Sequence, residues 1–144
     1  MKIQKYKHKG FRGYIFSREI NGNYIPQRVQ NLVIKDFSFR KNIFFKLSST
    51  EYKMKNSFYM LKALINDLKN IDGIIFYSYE MLPTNKKIRL SLLQKIIKSK
   101  KKIFFALEEI VISKNQELES FETLIAIKDK SMSSKELKLR NIEI

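Results

Sequence analysis

Two hydrophobic rhythms take turns along this chain. Gly13-Tyr14-Ile15-Phe16-Ser17 is a short run of β-formers. Asn21-Gly22-Asn23 follows as a turn signal, and Pro26 suits the first turn of a helix. Val29, Leu32, Val33 and Phe37 then recur at helical spacing, which predicts one apolar stripe. A second strand is expected over residues 43–49. A second helix follows, with Phe58, Leu61, Ile65 and Leu68 on one face and Asn56 and Ser57 as candidate caps. Residues 73–78 are apolar almost throughout, as a strand covered on both faces should be. Pro83 and Thr84 introduce a third helix carrying Ile88, Leu92, Leu93, Ile96 and Ile97. A fourth strand is expected over residues 103–107. Leu118, Phe121, Leu124 and Ile125 predict a fourth helix.

Strands alternating with helices imply βαβ units, right-handed crossovers and helices on both faces of the sheet. The expected fold is therefore α/β: a three-layer, flavodoxin-like sandwich. Its sheet should be mainly parallel, with four or five strands in the order 2-1-3-4. Residues 1–9 read as a basic leader, 10–130 as a single domain and 131–144 as a polar tail. A chain of 144 residues is long enough for a proper core.

Composition narrows the class. Eleven Phe and seven Tyr are too much apolar surface for a disordered chain. With no Cys there is no disulfide and no thiolate nucleophile. The single His8 excludes a multi-histidine metal site within one chain, so neither metal nor other cofactor is expected. No apolar run approaches the ~18 residues of a membrane span, and the first residues lack the apolar core of a secretion signal. Those features point to the cytoplasm.

A net charge of +15 has two explanations. One is a polyanion partner, nucleic acid above all. The other is codon bias that writes Lys onto solvated faces. The ratio of 23 Lys to 6 Arg favours the second, because phosphate and base-edge recognition prefers Arg. Nucleic-acid affinity is accordingly expected to be weak and salt-sensitive. The densest basic stretch runs from Lys86 to Lys102, without an acid.

In an open parallel sheet, ligands bind beyond the carboxyl ends of the strands. The segments there are Ser17, Arg18 and Glu19, with Gln27 and Arg28 at the helix start; then Ser49, Thr50, Glu51 and Tyr52; then Tyr77, Ser78, Tyr79 and Glu80; then Glu108 and Glu109. Arg18 and Arg28 can clamp an anion, or pair with Glu19 or Glu51. Glu51 can act as a general base if burial raises its pKa, or form a plain ion pair. Tyr52 and Tyr77 can each lend a phenol to a sugar or a proton transfer, or simply pack. Ser17 has no histidine to activate it, so a hydrogen-bonding role outweighs a nucleophilic one. Glu108 can pair with Glu51. With four Gly and no Gly-rich phosphate loop, a standard dinucleotide site is disfavoured.

Three ordered blocks are more specific than any of these features. They are Gly10-Phe11-Arg12-Gly13-Tyr14-Ile15 with Ser17-Arg18 and Pro26-Gln27-Arg28-Val29-Gln30-Asn31-Leu32; Leu47-Ser48-Ser49-Thr50-Glu51-Tyr52 with Met54; and Asp72-Gly73-Ile74-Ile75 with Tyr77-Ser78 and Leu82-Pro83. Together they resemble the sporadic carbohydrate cluster family of small bacterial proteins, over roughly residues 10–110. The resemblance implies a role in making a lipopolysaccharide-, capsule- or sialic-acid-like surface sugar, without specifying a reaction. This chain departs from the family pattern at Arg28, where the family has His, at Lys53, where it has Ala, and at Glu109, where it tends to have Gly.

A looser likeness is to the catalytic domain of serine recombinases, with Ser17 and Gln30 in comparable places. The arginines expected after the third strand of that domain are missing here.

The expectation from sequence is a protein of surface-carbohydrate biosynthesis. It binds or converts an anionic sugar or sugar nucleotide, with Glu51 and Tyr52 as catalytic candidates. Ser17, Arg18, Gln27, Arg28, Ser49, Thr50, Tyr77, Ser78 and Glu108 are the ligand-binding candidates. The alternatives are a non-catalytic partner in a biosynthetic complex, as a homo-oligomer or with another enzyme, and a nucleic-acid binder of recombinase-like fold.

Overall fold

The computed structural model describes residues 9–142, with side chains through Lys130. His8 and most of the expected leader lie outside the described residues. The elements in order are β1 (Phe11–Phe16), α1 (Gln27–Arg40), β2 (Phe45–Glu51), α2 (Tyr59–Asn66), β3 (Gly73–Phe76), α3 (Lys86–Lys98), β4 (Lys102–Phe105), β5 (Ile110–Ile112) and α4 (Asn115–Ile142). Short 3-10 turns cover Leu68–Asn70 and Tyr79–Met81. The chain forms two compact units, residues 1–113 and 114–144. The second holds α4, a continuous helix that runs on through the polar segment after Ser131.

The first unit is an α/β fold on a five-stranded, mostly parallel sheet of order β2-β1-β3-β4-β5. β1 pairs in parallel with β2 and β3, and β3 with β4, while β5 returns antiparallel to β4. The pleat sorts the aromatic rings onto two faces. Tyr14, Phe76 and Phe105 are neighbours on one face, with Tyr14 also against Phe16 and Phe16 beside Phe58 at the start of α2. Phe11 and Phe104 meet on the other face, where Phe37 of α1 packs on Phe104. Helices therefore cover both faces, as the crossover rule requires. Tyr14, Ile34, Phe37, Ile74, Ile75, Phe76 and Phe105 are wholly buried.

Helix α3 buries the predicted Leu92, Leu93, Ile96 and Ile97 and departs from its apolar spacing only at its start, whereas α1 keeps Phe37 but otherwise buries a different face. In α1 the buried positions are Gln30, Ile34, Phe37 and Ser38, while Val29 and Leu32 stay exposed. A polar side chain has taken the inward position because it bonds to the end of β1, as described below. In α3 Arg89 turns inward and Ile88 outward. The Arg89 guanidinium is buried because it donates to the carbonyls of Pro83 and Thr84, which precede the helix.

Candidate site at the carboxyl edge of the sheet

The edge begins where β1 and β2 end side by side, with Phe16 opposite Glu51. Tyr14 and Glu51 lie on the same face of neighbouring strands, so the phenol donates to Glu51 Oε1 at 2.8 Å. Glu51 is 1% exposed and accepts further bonds. The amide of Tyr52 donates to Oε2 at 2.9 Å and the Ser57 hydroxyl at 3.3 Å. The amide of Met60 reaches both carboxylate oxygens, at 3.1 and 3.2 Å, and that of Leu61 reaches Oε1 at 3.2 Å. The carboxylate thus answers the first amides of α2, whose N-cap residue, Phe58, has no side-chain cap to offer. Burial first, and the nearby Glu51 carboxylate second, push the Tyr14 phenol far above its ordinary pKa. Glu51 anchors β1, β2 and α2, and among the described residues it pairs with no arginine.

Arg18 is half-buried and pairs with neither Glu19 nor Glu51. Its guanidinium carbon lies 4.0 Å from the Phe16 ring centroid and 5.2 Å from that of Phe58. Its Nη1 donates to the carbonyls of Tyr52 at 2.8 Å and Met54 at 3.2 Å. The group therefore staples the β2–α2 loop. The Ser17 hydroxyl donates to the Glu51 carbonyl at 2.9 Å. Ser49 accepts from Arg12 Nη2 at 2.8 Å. Thr50 lies at 3.5 Å from Gln27 Oε1, the limit of a hydrogen bond. Arg28 and Gln27 are exposed on the first turn of α1.

Gln30 is fully buried behind this cluster. Its Oε1 accepts from the Phe16 amide, and its Nε2 donates to the carbonyls of Phe16 and Ile25, at 2.8–2.9 Å. One side chain thereby supplies the pair of bonds that a neighbouring strand would give the end of β1.

A second cluster forms at the ends of β3 and β4. Ser78 Oγ donates to Glu108 Oε2 at 2.6 Å, and the Tyr79 amide donates to Oε1 at 3.0 Å. Ser78 also caps the following 3-10 turn by accepting from the Glu80 amide. Burial first, then the charges of Glu108 and Glu80, raise the Tyr77 phenol. Glu108 belongs to this cluster and Glu51 to the first, each engaged with its own donors. Among the described residues, no three His, Asp or Glu gather as a metal site.

Sequence reading missed the parts of Tyr14, Ser57 and Tyr59 in this edge. Tyr14 reads as an ordinary strand aromatic. Its pairing with Glu51 depends on the β1–β2 register, and no local signal carries that.

No family model matches this chain, and no curated protein does. Solved structures do. A resolvase family site-specific recombinase from Streptococcus pneumoniae matches with a TM-score of 0.61 and 15% identity, over 90% of this chain and 99% of that one. The N-terminal catalytic domain of TP901-1 integrase matches with a TM-score of 0.61 and 19% identity, over 85% and 97%. At these identities the likeness is one of fold.

Proposed function

We propose that this protein binds nucleic acid through a basic surface, without cutting it, on an α/β fold shared with serine-recombinase catalytic domains. The observation that carries this reading is where the charge lies. Residues 1–113 hold 23 basic and 8 acidic side chains, the entire +15, whereas residues 114–144 hold six of each. Codon bias alone would spread the excess over both. Five of the eight acids in the sheet-bearing unit are engaged by named partners. Glu51 and Glu108 bind the edge clusters, Asp72 accepts from the Gly10 amide, and Asp36 and Glu109 both pair with Arg40. Exposed lysines keep their field. Lys87, Lys95 and Lys98 share one face of α3 with Ser91 and Gln94, lining a shallow open depression. The Ser17 hydroxyl, committed to a backbone carbonyl, supports binding over cleavage.

The test is fluorescence anisotropy with a short duplex across a salt series. Micromolar binding at ~150 mM salt is expected. Lys95→Gln with Lys98→Gln should weaken it and lower the salt slope by about two. Loss of all wild-type binding by ~150 mM salt, to the duplex and to a single strand of equal length alike, would reduce the charge to counterion-driven affinity and overturn the reading.

A second reading is the surface-carbohydrate biosynthesis that the family resemblance implies. Glu109 sits at φ 56°, in the left-handed region that favours glycine. That is the position where the sporadic carbohydrate cluster family tends to have Gly. Under this reading the carboxyl edge takes an anionic sugar or sugar nucleotide, with Arg28 and Gln27 as its exposed polar groups. A thermal-shift panel of nucleotide sugars tests it: ligand at ~100 times its Kd should add about 2.7 kcal/mol. Silence across the panel would remove the sugar.

A further inference from the structure

Tyr52 leaves the end of β2 and Tyr59 opens α2. Both residues are exposed, at 49% and 65%. Their ring centroids are 5.7 Å apart, with planes tilted by 45°. Single exposed aromatics are common, but this pair is held side by side by the most heavily bonded group in the edge. The Tyr52 amide donates to Glu51 Oε2, and its carbonyl accepts from Arg18. Tyr59 directly precedes Met60, whose amide donates to both oxygens of the same carboxylate. Arg18 also fixes the Met54 carbonyl in the loop between them. The backbone under both rings is therefore ordered before any ligand arrives, which lowers the entropic cost of binding.

The surroundings specify the ligand chemistry. Residues 52–66 contain Lys53, Lys55 and Lys62, all exposed, and no acid. Aromatic faces interleaved with cations suit a chain of flat bases joined by phosphates. A duplex hides its base faces, and a neutral sugar has no use for the lysines.

We propose that Tyr52 and Tyr59 form a stacking platform for the unpaired bases of single-stranded nucleic acid, with Lys53, Lys55 and Lys62 taking the phosphates. This rests on the nucleic-acid reading above and adds which form is bound and where.

The experiment measures anisotropy of a labelled oligothymidylate and of a duplex of equal length, at ~150 mM salt where surface charge is partly screened. The probes meet the wild-type chain, Tyr52→Ala/Tyr59→Ala and Tyr52→Phe/Tyr59→Phe. The alanine pair should weaken single-strand binding about tenfold or more. The phenylalanine pair should restore most of it, and duplex binding should stay within about twofold throughout. Tyrosine fluorescence of the wild type should be quenched by the single strand and not by the duplex. Two results would overturn the platform and leave the nucleic-acid reading intact: unchanged single-strand binding by the alanine pair, or a wild type that binds duplex alone. A wild type that binds neither probe overturns both. Quenching by a nucleotide sugar, without any single-strand binding, would transfer the platform to the carbohydrate reading and overturn this one.

Discussion

Glu51 is a catalytic candidate in sequence, and in three dimensions its carboxylate is held by neighbouring donors. A buried carboxylate is costly unless its lone pairs are filled, and here a phenol, a serine hydroxyl and backbone amides fill them. Glu51→Gln forces an amide NH2 toward donors, so we predict a loss of about 2–3 kcal/mol in urea denaturation. Its partner Tyr14 has a pH signature. The unfolded phenol ionises near pH 10, while the folded one, buried beside Glu51, stays neutral well beyond that. The raised pKa therefore contributes stability that is complete below about pH 10 and is lost as pH rises further. Denaturation series at pH 9 and above should show this fall. Tyr14→Phe should be less stable at neutral pH, where Glu51 has lost a donor, yet fall less steeply above pH ~10. An equally steep fall would remove Tyr14 as its source.

At the scale of elements, the alternation of strands and helices was legible because each repeats apolar residues at its own period. What was not legible were faces and ends. The spacing in α1 favours Val29 and Leu32, yet Gln30 faces inward, because the end of β1 needs partners that only a polar side chain can supply. Removing that clasp should be expensive. Gln30→Leu keeps the volume but leaves the Phe16 amide and two carbonyls without their bonds, so we predict a loss of about 3 kcal/mol, measurable by thermal denaturation. A change below about 0.5 kcal/mol would mean that water replaces the amide. β2 runs two residues later than its apolar run, Phe45–Glu51, because pairing with β1 sets its ends. β5 passed unread as a strand, since three residues after a left-handed Glu109 carry too short a pattern.

For the whole molecule, the dominant quantity is the charge. With +15 on 144 residues, self-repulsion opposes the compact state, and the sheet-bearing unit carries all of it. Raising NaCl from ~50 to ~500 mM shortens the screening length to a few ångströms, so we predict a higher melting temperature. A flat or falling Tm would show that the lysines are too far apart to repel.

Fold class, element order and the polar character of the carboxyl edge were all readable along the chain. These follow from period, from turn residues and from the handedness of crossovers, all of which are local or general. The charge was readable there too, since it is additive and needs no structure. Which of those polar residues remain exposed toward solvent depended on contacts between distant segments. Hydrogen-bond partners such as Tyr14 and Glu51 lie 37 positions apart and meet through strand register. Once met, Glu51, Arg18, Gln30 and Ser78 were occupied in holding the edge together. Tyr52 was left facing outward because the bonds that fix it run through its backbone and not its ring, and Tyr59 because the bonds beside it are made by the Met60 amide.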